Sequence, residues 1–215
     1  MYTDRPTINK YTGQNLDASY DNFLNVAIKA VQDYIDSACS SSGGYRTFEK
    51  SDVETRKFDG NEGMDLEIDD LYSLTSLKVD GIALIENEDF FLYPANDTPK
   101  TKIQLCQDYQ ASGLNNSRMS VAGKSRYIFN RGQQNVEVTG KFYYDDEVPE
   151  TIKLVATRLV AGLITGNSDV KKSESFDDYS VSYSDVEKLS NQLGINDLLA
   201  PYMRGVKIKI GILRV

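Results

Sequence analysis

Asp59, Asn61, Asp65, Asp69 and Asp70 set oxygen-bearing side chains close together, at the density of a calcium loop. Aligned from Asp59, the third position is Asn61 as such a loop requires. The fifth is Gly63, the sixth is Met64 where the bend needs glycine, and the twelfth is Asp70 where a bidentate glutamate belongs. The stretch therefore reads as a hairpin rim carrying solvated carboxylates. Asp69-Asp70, Asp145-Asp146 and Asp177-Asp178 offer paired carboxylates. Adjacent strand residues point to opposite faces, so none of these pairs alone spans the roughly 5–10 Å that glycoside hydrolysis needs. Gly123-Lys124-Ser125 has the ending of a phosphate-binding loop, but position 118 is arginine where that loop has its first glycine. Lys124, Arg126 and Arg131 read as a solvated basic run with the option of contacting an acidic neighbour.

The chain has no histidine, which removes Ser-His-Asp and Cys-His catalysis and every His-ligated metal or haem site. Cys39 and Cys106 are 67 residues apart and form no CxxC pair, so they read as thiols in a reducing compartment. No catalytic, cofactor-binding or metal-binding residues are assigned. A carbohydrate- or metal-dependent hydrolase using clustered Asp and Glu from separate strands stays open as an alternative. The net charge of −8 over 215 residues argues against a protein that grips phosphates, and suits a passage through which DNA slides. No apolar run approaches 18 residues, and Met1–Pro6 lacks the apolar core of a signal peptide, so a soluble intracellular protein with no membrane contact is expected.

These residues need elements to position them. Residues 1–18, with Pro6 and Gly13, read as an irregular N-terminal arm. Tyr20, Leu24, Ala27, Ile28, Val31, Tyr34, Ile35 and Ala38 recur at helical spacing from Ser19 to Ala38, ended by Gly43-Gly44. Phe23 and Val26 widen that stripe, as if the helix met more than one neighbour. Strands are expected at Val53–Phe58, Met64–Ile68, Ser76–Val79, Ile82–Ile85, Phe90–Tyr93, Arg126–Phe129 and Asn135–Tyr144. Asp80-Gly81 suits a two-residue hairpin turn, and a bulge is expected at Gly140. Residues 94–125 read as a long loop.

Ile152, Val155, Ala156, Leu159, Val160 and Leu163 mark a second helix after Pro149, stopped at Gly166. Leu154, Ala161 and Gly162 lie off its stripe, so the helix is buried on more than one side or meets a partner subunit. Ser184 to Glu187 has the spacing of a capping box for a third helix. Fourteen tyrosines, Tyr20, Tyr179 and Tyr183 among them, suit both core and interface. At the end, Val206, Ile208 and Ile210 alternate with Lys207, Lys209 and Gly211, followed by Ile212 and Leu213. This is a strand that must close the chain's own sheet or pair with another chain's edge.

The order of the pieces carries a resemblance. A helix ending in Ser/Gly is followed by residues 54–63, by Leu66–Gly81, by Val136–Asp145 running into Val148–Ile152 and an apolar helix, then by Ser173–Ser175, Asp178–Tyr183 and Leu198–Tyr202. From about Asn22 to Arg204 this set resembles the head-to-tail adaptor (head completion, connector) proteins of tailed bacteriophages. The resemblance implies a virion protein without catalytic residues, assembled in the host cytoplasm. It would form a ring, usually twelve-fold, between the portal and a stopper or tail-completion protein. Packaged DNA would pass through without specific binding. A tail terminator or stopper-type connector is the alternative within the same class.

The expected fold is α+β: a small helical bundle from both chain ends (19–44 and 147–205), a long β-rich insertion (45–146) and a C-terminal docking strand (206–215). Under the resemblance Val206, Lys207, Ile208, Lys209, Ile210, Ile212 and Leu213 dock on the portal. Tyr20, Phe23, Val26, Leu154, Tyr179 and Tyr183 are the expected subunit interface.

Overall fold

The computed structural model describes residues 1–106, 128–166 and 182–205. The chain divides into two units, Met1–Ser41 with Glu147–Val215, and Ser42–Asp146. Helices from both chain ends and strands between them make the fold α+β.

The first unit is helical. Its first element corrects the irregular arm: α1 spans Arg5–Thr12. The punctuation read as loop is that of a short helix. The Asp4 side chain accepts from the Thr7 N–H, Pro6 sits in the first turn, and Gly13 closes the end at φ 69°. Tyr2, Ile8 and Leu16 are buried, so the stretch belongs to the core. The Tyr2 hydroxyl donates to the buried Asp36 carboxylate, and the Thr3 and Thr157 hydroxyls meet at 2.8 Å. A 3-10 turn at Ala18–Tyr20 leads into α2, Asp21–Cys39, whose Leu24, Ala27, Ile28, Val31 and Ile35 are buried as the spacing predicts.

α3 spans Glu150–Gly166, α4 Tyr183–Gln192 and α5 Ile195–Leu199. α3 packs against α1, α2, α4 and α5 and forms the centre of the unit. Ile152, Val155, Ala156, Leu159 and Val160 are fully buried along it. Each contributes about 1.5–3 kcal/mol relative to exposure, Ala156 less. The capping box lies two residues before the expected one: the Asp185 carboxylate accepts from the Ser182 hydroxyl at 2.6 Å and from its N–H. The Arg204 N–H donates to the Cys39 carbonyl at 2.9 Å, joining the last described turn to the end of α2.

The second unit is two antiparallel sheets. β1 (Val53–Gly60), β2 (Asp65–Leu71), β3 (Ser73–Val79), β4 (Ile82–Leu84), β5 (Phe90–Tyr93), β6 (Lys100–Leu105) and β7 (Gly132–Lys141) form the orders β1-β7-β3-β4 and β2-β6-β5. Leu66, Ile68, Ile103 and Leu105 of one sheet share a single buried cluster with Leu77, Val79, Val136 and Val138 of the other. Asp80 and Gly81 both take positive φ, 52° and 80°, in the turn from β3 to β4, as a tight hairpin demands.

Four expectations change here. β6 lies inside the stretch read as loop: Ile103 and Leu105 alternate with Lys102 and Gln104, and β6 is the middle strand of its sheet. β1 and β2 belong to different sheets, so Asp59–Gly63 is a crossing between sheets rather than a hairpin rim. Of the strand expected at Arg126–Phe129, Ile128 and Phe129 are described and lie outside both sheets. Phe129 is fully buried, its N–H bonded to the Gly63 carbonyl and its carbonyl to the Glu62 N–H, both at 2.8 Å. The bulge near Gly140 lies on the partner strand, where the β3–β7 register shifts between Leu74 and Ser76.

Candidate functional site

The residues expected to meet other chains separate by burial. Val26 on α2 and Leu154 on α3 are 40% and 45% exposed, so two apolar side chains stand on the surface of the helical unit. The Phe23 ring is 2% exposed and enclosed by its own chain. Tyr20 is half-buried just before α2. Tyr179 and Val206–Val215 lie outside the described residues, and Tyr183 begins α4.

The acidic positions turn out to be tied down by the fold. Asp59 accepts from the Gln134 N–H at 2.6 Å. Asn61 accepts from the Gly63 N–H and donates to the Asp65 carbonyl, closing the crossing loop on itself. Asp69 and Asp70 part to opposite faces. Asp70 is buried and ion-paired with Arg46, Oδ2 to Nε 2.5 Å, while the Arg46 guanidinium lies 4.8 Å from the Tyr144 ring centroid. Asp69 pairs with Arg56 at 2.8 Å and accepts from the Tyr45 N–H at 2.6 Å. Arg56 in turn covers the Phe142 ring at 4.4 Å. These contacts brace loop 42–48 and β1 against β2.

Asp146 collects a second cluster. It accepts from the Tyr72 hydroxyl at 2.5 Å and from Tyr143 at 3.2 Å, and Lys50 Nζ lies 3.2 Å away. The two tyrosine rings stack at 4.6 Å. The Tyr72 hydrogen bond, with those of Lys50 and Tyr143, lowers the Asp146 pKa. The same carboxylate pushes Tyr72 up to about 12 and, after burial, raises Tyr143. Asp145 accepts from the Asp146 N–H. Asp177 and Asp178, and the Gly123–Ser125 stretch, lie outside the described residues.

Among the described residues no group of three or more Cys, Asp or Glu side chains is placed to hold a metal ion. No described helix is long and apolar enough to cross a membrane. Cys39 is buried and Cys106 half-buried, both as thiols, and burial raises the Cys106 pKa.

One concave feature stands out beside β2. An open groove of about 790 Å³ is lined by Ser42–Gly44, Phe58, Asn61, Asp65, Leu66, Glu67, Asp69 and Lys102. β2 has β6 as its sheet neighbour on one side only among the described strands. Asp65, Glu67 and Asp69 alternate with the buried Leu66 and Ile68, so one face of the strand is a row of carboxylates. Lys102 on β6 answers that row from the paired side, 3.2 Å from Asp65. Glu67 has no cationic partner within ion-pair distance among the described residues. The sequence shows the alternation along β2 but not its partner, because that pairing is settled by residues of β6 some 35 positions away.

No family model matches the sequence, and no curated protein sequence matches it. Among solved structures, a chain of the "Neck of native GTA particle computed with C12 symmetry" is similar with a TM-score of 0.40 and 11% identity, over 84% of this chain and 86% of that one.

Proposed function

We propose that this chain is a structural part of a tailed virus particle: a head-to-tail adaptor that forms a ring, usually twelve-fold, between portal and tail. The observation that carries the reading is the interrupted helical unit. α1 and α2 from the start of the chain close with α3, α4 and α5 from its end, and the β-rich unit is inserted between them. That arrangement follows the order of sequence pieces that resembles the adaptor family. The exposed Val26 and Leu154 then give the helical unit apolar points of contact with neighbouring copies.

In this role the ring extends the DNA channel, seals the filled capsid and offers a platform to a stopper or tail-completion protein. Its acidic balance lets a duplex pass, since carboxylates repel phosphate. Val206–Leu213 docks on the portal by strand addition, and its residues chiefly alternate Lys with Val or Ile. No residue acts as a catalyst.

The test is to mix the full chain with its portal and image the product by negative stain. A ring added to one face of the portal is expected, lost on removal of residues 206–215. A chain that stays monomeric with portal present overturns the reading.

A further inference from the structure

We draw no further inference here: the strongest candidate, the face of the sheet β1-β7-β3-β4 on which Lys57, Lys78 and Lys141 flank the hydroxyls of Thr55, Thr139 and Ser76, carries none, since nothing in the structure shows what covers it.

Discussion

Asp69 and Asp70 are neighbours in sequence, and the strand sends one to each face. Asp70 is almost fully enclosed with Arg46, which stacks on Tyr144. Removing one partner of such a pair leaves the other charge buried, which costs about 3–5 kcal/mol. Asp70→Ala is therefore expected to destabilise the β-rich unit by that amount in urea unfolding, read by amide exchange along β2 and β6. The double change Arg46→Met, Asp70→Leu is expected to recover most of the loss, and an unchanged midpoint for the single variant would refute the assignment. Asp146 makes a different prediction. Tyr72 is held neutral by this carboxylate, so its folded pKa, about 12, stands above its unfolded one, 10. The stability it adds is complete below pH 10 and is lost as pH rises towards 12. Asp146→Asn is expected to move the ionisation of Tyr72 back towards 10. The measurement is tyrosinate absorbance, with Tyr72→Phe identifying the group. For Asp146 the sign is opposite: its folded pKa is lowered, so its contribution is present at neutral pH and is lost on acidification through that lowered value.

At the scale of elements, Gly140 shows how closely the sheet is fitted. A Cβ there would sit 2.3 Å from the Ser73 carbonyl oxygen and 2.7 Å from Leu71 Cδ1, beside the register shift in β3. A backbone atom cannot swing aside, so Gly140→Ala is expected to cost at least about 1–3 kcal/mol, the range for overpacking. Thermal unfolding checks it, and a neutral result would mean that β3 shifts at no cost. The sequence carried the alternation of β7 and the need for a bulge here, but not the strand on which it falls, since register is a two-strand property. The same division runs through the chain. α2 and α3 were legible because a long apolar period survives local noise. α1 was hidden because Pro6 and Gly13 break loops and bound helices alike, and only the Asp4 cap tells them apart. β6 was hidden because its two aliphatics sit among Lys, Thr and Gln, and its burial comes from being the middle strand. The groove beside β2 was out of reach for the same reason: the carboxylate row is local, while the pairing of β2 with β6 is not.

At the scale of the whole molecule, charge and apolar burial respond to salt in different ways. The chain carries a net charge of −8, so copies brought side by side in a ring repel one another. Apolar contact through Val26 and Leu154 has to overcome that repulsion. Raising ionic strength from 0.1 to 1 M shortens the screening length from about 10 Å to about 3 Å, which weakens repulsion and leaves apolar burial intact. Ring formation on the portal is therefore expected to improve with salt until the lysine contacts of the docking segment give way. Val26→Asp and Leu154→Asp are expected to reduce it at every salt concentration, with folding stability changed by less than about 0.5 kcal/mol, the usual scale at exposed positions. Phe23→Ala is the contrast: its ring is enclosed, and truncation costs about 3–5 kcal/mol, so any loss of assembly there follows loss of fold. Sedimentation of the chain with its portal across a salt series is the measurement. If assembly falls steadily as salt rises from the start, the copies meet through charge, and Val26 and Leu154 are bystanders.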